Sequence, residues 1–572
     1  MNVRLVNKDI KQDYVAELLR ERGVENVQSI MNPVFDLQDP FDLSNMEKAV
    51  QTIIPFIESK KPSVIGTIVD SDCDGISSAS IIYLYLERVA PHIKVDYYLH
   101  EGKGHGFSDV WREMIEKKFD LIIVADAATN DRTYIEKFDC PVIVADHHLH
   151  EGTKFASNAI VVNNQISPNY RNKELAGAGV ALQLIRAIDA RRGTDFWMDY
   201  VDLAAVGVDG DMGSGLEPEN QGLWRYGFSH VKNSFLKALI EKQDFSMKGK
   251  VNPTSVAFYI VPLINAMIRV GTAEEKERMF LAVIHGDELI PSGKRGAKGT
   301  LDTRANESVR ECTNMRSRQN RILEQAESKI ENKILKNDLL ENKILVIRLE
   351  EEDDFPSELN GLLAMRCAAR YKRPTIVARL NDEGMMRGSA RGLSGCAIVS
   401  FKDYMDSTHL FEYTLGHDNA CGISIANENL FFFHQLSNEN LKNVDFGEKS
   451  YDVNFSRSAA TPDLAAVIED ITDNEDIWSS DNSEPLLFVH DINLQQSDLC
   501  VIGKNSDTLK WVKYGITYIM FFAKDKMKDF FNAGRELKVN IVGKANMNVW
   551  GGHRSPQIIV EGYEVENNEF GF

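Results

Sequence analysis

Between residues 62 and 150 short apolar runs alternate with stretches in which apolar residues return every three or four positions. SVIGTIVD (63–70), LIIVAD (121–126) and VIVAD (142–146) are β-branched and bounded by turn residues, so each reads as a buried strand. SASIIYLYLERVA (78–90) and DVWREMIEKKF (109–119) lie between them and read as helices. Strand and helix in alternation predict βαβ units and a parallel sheet. The first sixty residues read as helical, with DYVAELLRERGV (13–24) stopped at Gly23, and a helical region spans 174–285 behind the glycine-punctuated ELAGAGVALQLIRAI. Residues 304–337 contain no Gly or Pro and place Ile322, Ala326, Ile330 and Ile334 on one face, which predicts a long connecting helix. KILVIRLEE (343–351) opens a second α/β region that ends near 435, and an acidic, flexible stretch follows. From 485 onward PLLFVHDI, ITYIMFFA, KVNIVGKA and QIIVEGYEVE predict a small β-barrel. The expected class is α/β, with segments at 1–60, 61–290, 300–340, 341–440 and 450–572.

Composition narrows this picture. At 572 residues the chain exceeds one core, and its 43% hydrophobic content is ordinary for a globular protein. No apolar run reads as long enough to span a bilayer, and the N-terminus turns polar at once, so a cytoplasmic protein without a membrane role is expected. Seven cysteines lie scattered without a C-x-x-C pair, which predicts reduced thiols and neither a zinc knuckle nor a disulfide framework. The formal charge of −20 argues against indiscriminate binding of polyanions. Charge is uneven, however: residues 291–340 hold eleven Lys and Arg against seven Asp and Glu, leaving room for a local basic face.

The three apolar strands end in Asp70, Asp126 and Asp146, and DSDCDG adds Asp72 and Asp74. In a parallel sheet all strands point one way, so their carboxyl ends gather these charges into one crevice. So many carboxylates repel one another unless a hard divalent cation sits among them. His147 and His148 follow Asp146 directly. Imidazole among carboxylates suits Mn²⁺, Fe²⁺ or Zn²⁺ better than Ca²⁺, and mostly oxygen ligation favours Mn²⁺. One histidine is expected to coordinate and the other to face substrate. An EF-hand loop is the rival reading of Asp-x-Asp-x-Asp-Gly, but its twelfth position is Ile81 rather than Glu. DLAAVGVDGDMGSG (202–215) offers Asp202, Asp209 and Asp211, and a further carboxylate from here would complete a two-metal site for phosphoester or phosphoanhydride hydrolysis.

These residues resemble the DHH phosphoesterase superfamily, in particular RecJ-type single-strand-specific exonucleases. DSDCDG matches the first motif, Asp126 in LIIVADAATN represents the second, Asp146-His147-His148 is the eponymous triplet, and DLAAVGVDGD is similar to the family's strand that ends in the fourth ligand, here Asp211. RGSARG (387–392) and GHDNACG (416–422) resemble the signatures of the DHH-associated domain, and NVWGGHRSPQIIVEG (548–562) the last hairpin of a RecJ OB-fold. The resemblance implies two Mn²⁺ or Mg²⁺ ions on Asp70, Asp72, Asp74, Asp126, His147 and Asp211, with Asp126 bridging. It gives His148 the scissile phosphate and Asp146 the orientation of an imidazole. Gly388, Ser389, Arg391, Gly416, His417 and Gly422 would hold the terminal nucleotide's phosphate. Arg304, Arg310, Arg316, Arg318 and Arg321 on the connecting helix are expected along the DNA path, with Trp550, Arg554 and Gln557 in the hairpin. Three departures stand out: DAATN after the second-motif Asp, Asp209 as a rival to Asp211, and HEGKGHGFSD without the expected arginine. The implied activity is processive 5′-to-3′ degradation of single-stranded DNA to mononucleotides in repair and recombination, by a monomer whose partners include a single-strand binding protein and a helicase. A small-substrate DHH phosphodiesterase and a non-catalytic nucleic-acid-binding scaffold are the rival readings.

Overall fold

The computed structural model describes residues 1–567 apart from 103, 153, 298, 394, 395, 397, 447–449 and 551. The chain forms two compact units. The first gathers Gln28–Arg321 with Asp476–Ser483; the second gathers Met1–Val27, Ile322–Glu475 and Glu484–Phe572.

The first unit is built on five parallel strands, β1 (Ser63–Val69), β2 (Ile93–Leu99), β3 (Leu121–Ala125), β4 (Val142–Asp146) and β5 (Ala159–Asn163), in the order β2-β1-β3-β4-β5. Every residue of β3 and β4 is buried, which is why both read as unbroken apolar runs. Their side chains still alternate. Leu121, Ile123, Ala125, Ile143 and Ala145 enter a large core shared with helices, while Ile122, Val124, Val142 and Val144 enter a smaller core on the opposite face. The larger core is filled by α1 (Cys73–Val89), α2 (Gly177–Arg192) and α3 (Val201–Gly210) among others.

Helix α3 corrects the sequence reading, in which 202–211 resembled a strand ending in a ligand. All its residues from Val201 to Asp209 are buried, so no polar face marks the helical period, and a short apolar run of this kind does not distinguish the two states. The stretch Pro253–Val270 would reach across a bilayer by length and composition, yet it is two helices, Pro253–Tyr259 and Val261–Val270, that place Val256, Leu263, Ile264 and Met267 in the same core.

Helix α4 (Arg304–Lys336) is continuous over 33 residues. Its first turns put Ala305, Val309, Cys312 and Met315 into the large core. From Ile322 onward it belongs to the second unit, where Ala326, Ile330 and Ile334 are buried and Glu327 and Glu331 pair with Arg366 and Arg370.

The second unit holds a five-stranded sheet of β6 (Leu345–Leu349), β7 (Thr375–Leu380), β8 (Met385–Arg391), β9 (Phe411–His417) and β10 (Ala420–Ala426), ordered β9-β10-β8-β7-β6. Helix α5 (Asn360–Tyr371) lies between β6 and β7 in sequence. A seven-stranded sheet follows: β11 (Phe455–Ser458), β12 (Leu486–Gln495), β13 (Cys500–Ile502), β14 (Thr508–Lys513), β15 (Ile516–Met520), β16 (Glu536–Trp550) and β17 (His553–Asn567), in the order β11-β12-β16-β17-β15-β14-β13. Register shifts in β12 and at Val542/Gly543 of β16 mark the irregularities that bend long strands. The acidic stretch is not a loose linker. It contributes β11, a strand Ser450–Val453 that pairs with Asn2–Leu5, and a helix Leu464–Asp473 with Val467, Ile468 and Ile471 buried. The predicted helix over 109–119 is confined to Trp111–Ile115.

Candidate active site

Each of the five parallel strands delivers a polar group at its carboxyl end: Asp70 after β1, His100 after β2, Asp126 after β3, Asp146 at the end of β4 and Asn163 at the end of β5. The amino end of α1 adds Asp72 and Asp74. Asp72 caps that helix by accepting from Gly75 N at 2.9 Å. Asp74 is gripped by the amino end of α2, taking N–H from Gly177 at 2.7 Å and from Ala178 at 2.9 Å, where a helix favours an anion. Close approach depends on glycine here. A Cβ at residue 177 would lie 2.5 Å from both Cβ and Oδ1 of Asp126, and one at residue 207 would lie 2.6 Å from Asp74 Oδ1. Asp126 itself takes a left-handed φ of 63°, which its short polar side chain tolerates, while its N–H still bonds Ala145 O at 2.9 Å.

The imidazole of His147 is the hub. Its Nε2 stands 3.2 Å from Asp126 Oδ1, 3.6 Å from Asp211 Oδ2 and 3.9 Å from Asp74 Oδ2. Ligand atoms of Asp74, His147 and Asp211 lie within 4.8 Å of one another, and so do those of Asp70, Asp72 and Asp126. Asp126 therefore joins two groups of donors. Burial and its neighbours Asp74, Asp72, Asp70 and Asp211 push the Asp126 carboxyl well above the usual range. Burial raises Asp74 to about 7, with Asp72 adding to it, and raises Asp211 to about 7 against the pull of His147. Among the described residues no Lys or Arg forms an ion pair with any of these five carboxylates.

Asp146 is spent on orientation. Its oxygens accept from Thr129 N at 2.9 Å, His147 N at 2.7 Å and His148 Nδ1 at 2.8 Å. Burial works against a charged His148, but the Asp146 bond outweighs it and lifts that imidazole to about 9. His148 thus bonds through Nδ1 while its ring stays 42% exposed. Sequence reasoning missed a second imidazole anchored in the same way. His105 places Nδ1 2.8 Å from Asp70 Oδ2, is 51% exposed, and has its ring centroid 4.7 Å from that of His148. Burial would raise Asp70, yet His105 and the buried His100, whose Nε2 is 3.6 Å away, hold it below the usual carboxylate range. The strand-end rule that found the aspartates would also have found His100.

Asp211 reaches His147, whereas Asp209 is buried toward Cys73 and joins neither donor group among the described residues. Asp202 is occupied by the N–H groups of Lys232 and Asn233, both at 2.7 Å. In the second unit Gly388, Ser389 and Arg391 lie on β8, Gly416 and His417 on β9, and Gly422 on β10, three adjacent strands in which Ser389 pairs with Gly422 and Arg391 with Ala420. The Arg391 guanidinium packs where a Cβ at Gly361, on the first turn of α5, would lie 2.4 Å from it, and among the described residues it pairs with no carboxylate. On α4, Arg304 pairs with Glu288 at 2.6 Å and Arg310 with Asp302 and Glu307. Arg316 bonds Gln319, Arg318 stands 3.9 Å from Glu275, and Arg321 is exposed. Arg304 and Arg310 would have to leave these partners to meet a phosphate. Arg554 on β17 pairs with Asp473, Gln557 bonds Asn546, and the Trp550 side chain lies outside the described residues.

Against known proteins, residues 64–208 match the DHH family, N-terminal domain. The chain is 33% identical over 577 residues to the protein named "Putative SPbeta prophage-derived single-strand DNA-specific exonuclease YorK" of Bacillus subtilis (strain 168), covering 99% of this chain and 98% of that one. It is 24% identical to the single-stranded-DNA-specific exonuclease RecJ of the same organism, over 96% of this chain and 67% of RecJ. The fold superposes on a crystal structure of RecJ in complex with Mn²⁺ from Thermus thermophilus with a TM-score of 0.71 and 19% identity, over 98% of this chain and 79% of that one.

Proposed function

Because this chain belongs to the RecJ-type single-strand-specific exonucleases of the DHH superfamily, we propose that it is a divalent-metal-dependent hydrolase that removes mononucleotides from the 5′ end of single-stranded DNA. The observation that carries this reading is the pair of donor groups joined at Asp126. Five carboxylates and one imidazole, with no Lys or Arg ion-paired to them among the described residues, fit two hard divalent ions, Mn²⁺ first and Mg²⁺ second. Asp74, His147 and Asp211 would hold one ion and Asp70 and Asp72 the other, with Asp126 shared. Such ions, when bound, neutralise phosphate charge and lower the pKa of the attacking water.

The chain's own residues do the rest. His148, fixed through Nδ1 by Asp146 and charged at neutral pH, donates from Nε2 to a phosphate oxygen and meets charge that builds as the P–O bond breaks. His105, fixed by Asp70, offers a second donor beside it. Arg391, with the small residues Gly388, Ser389, Gly416 and Gly422 and the exposed His417, fits the terminal phosphate of the strand, since glycine admits backbone N–H groups and guanidinium grips phosphate through two donors.

With Mn²⁺, a 5′-labelled single strand is expected to release labelled mononucleotide from the first time point, and the same strand labelled at its 3′ end only late. EDTA should stop both. Prompt release from the 3′ label would reverse the polarity, and hydrolysis of dinucleotides with long strands left intact would favour the small-substrate phosphodiesterase. Gly177→Ala tests the geometry independently. Its methyl group would press on Asp126, and a displacement of about 1 Å is expected to cost about a hundredfold in turnover. Wild-type turnover in that variant would show that Asp126 need not lie where it does.

A further inference from the structure

Asp211 is the one member of the donor set that lies on no strand end and no helix amino end. It follows the last residue of α3, with its N–H on Gly207 O at 3.0 Å, and Met212 beside it takes a left-handed φ of 61°. What holds the loop from 211 to 215 comes from far along the chain. Asp476–Ser483 belongs to the first unit although Glu475 and Glu484 on either side belong to the second. The Asp481 carboxylate accepts from Ser214 Oγ, from Gly215 N at 2.9 Å and from Ser479 Oγ at 2.9 Å. Ser480 Oγ donates to Met212 O at 3.4 Å, and Gln221 Nε2 ties Gly215 O at 2.8 Å to Ile477 O at 3.0 Å. Ile477 and Trp478 are buried, and Trp478 O accepts from Thr254 Oγ1 at 3.1 Å. The fit is close enough that a Cβ on Gly215 would lie 2.1 Å from Ser479 Oγ.

We propose that Asp476–Ser483 is a brace that holds the Asp211 loop against the metal centre, with Asp481 as its positioning residue. The proposal rests on the reading of Asp211 as a metal ligand. A carboxylate on an unsupported loop would sample many positions, and the ion it shares with Asp74 and His147 would lose affinity through that freedom. Outer partners that orient a ligand commonly contribute about ten- to a hundredfold to metal affinity. The brace therefore makes the strength of one metal site depend on a segment of the chain outside the residues that match the DHH family, 64–208.

The test is a Mn²⁺ titration of the full chain, followed by the electron paramagnetic resonance signal of free Mn²⁺, with thermal unfolding measured alongside. Asp481→Ala and Gly215→Ala attack the brace from its two sides, and Asp481→Asn keeps one acceptor. Asp481 is exposed, so its loss is expected to leave the fold intact. The expected result is one Mn²⁺ site weakened about tenfold or more in Asp481→Ala, less in Asp481→Asn, the other site unchanged, and the unfolding midpoint held. In an Asp211→Asn background Asp481→Ala should weaken Mn²⁺ binding no further, because the path runs through Asp211. Two wild-type sites in both Asp481→Ala and Gly215→Ala would overturn the brace and leave the nuclease reading standing, as would equal weakening of both sites. A wild-type chain that binds no Mn²⁺ would overturn both.

Discussion

Asp126→Asn is expected to abolish nucleotide release, by at least about a thousandfold, and at the same time to make the metal-free protein harder to unfold. The first effect follows from position. Asp126 sits 3.2 Å from His147 and within the group formed with Asp70 and Asp72, so its carboxylate stands between the donor sets. An amide offers one acceptor and no charge. Charge stabilisation by bound ions supplies several kcal/mol to phosphoryl chemistry, and about 4 kcal/mol corresponds to a thousandfold in rate. The second effect follows from electrostatics. Without metal, the buried Asp126 either ionises against Asp74, Asp72, Asp70 and Asp211 or holds a proton far above its usual range, and both are unfavourable at pH 8. Asn is nearly the same shape and removes the conflict. A gain on the order of 1 kcal/mol would raise the midpoint by about 1–2 °C for a unit of this size. Thermal melts in EDTA at pH 8 and the labelled-strand assay read the two effects separately. Activity within tenfold of wild type would remove Asp126 from the centre of the site, and a lowered midpoint would show that its charge is not a source of strain.

Part of this site is legible in the sequence because its charges end buried strands. Strands buried on both faces are unbroken apolar runs, so an aspartate at the end of one breaks the pattern visibly; Asp70, Asp126 and Asp146 announce themselves this way. His147 and His148 follow by adjacency. The same burial hid α3, because a helix packed on all sides loses its polar stripe, and LAAVGV reads equally as strand. His105 was hidden for another reason. It lies in a glycine-rich loop without period, and only the path of that loop brings it back to Asp70. The least legible element is the segment around Asp481, which meets Gly215 across 266 positions of chain. Its acidic surroundings looked like solvated linker, since a contact that distant leaves no local pattern.

Raising the pH of the metal-free protein from about 5 to about 8 is expected to lower its thermal stability, and Mn²⁺ to restore it with release of protons. Asp74 and Asp211 titrate at about 7 in the folded chain and Asp126 higher still, whereas an unfolded aspartate titrates near 3.9. Between those values the folded state keeps protons that the unfolded state has released. Stability therefore falls as pH rises, by up to about 1.4 kcal/mol per pH unit for each such proton. His148, raised to about 9, acts in the same direction, since its favourable charge is fully present below about 6.5 and is lost as pH climbs through 9. Asp70 and Asp146 act oppositely and lower down, since both are held below the usual range and their contribution is lost only as the solution becomes strongly acidic; the buried His147, held below its ordinary value, also opposes the fall, up to about pH 6.5, against the three carboxylates. A metal ion needs the ionised carboxylates and so competes with the protons on Asp74, Asp126 and Asp211. Its affinity should rise with pH through about 7, and the binding enthalpy should differ between two buffers of unlike ionisation heat. The gap between melts with and without Mn²⁺ should widen from pH 5 to pH 8. A metal-free midpoint that stays level or climbs over that range, or Mn²⁺ binding that passes no protons to the buffer, would mean that the carboxylates do not converge closely enough to share two ions.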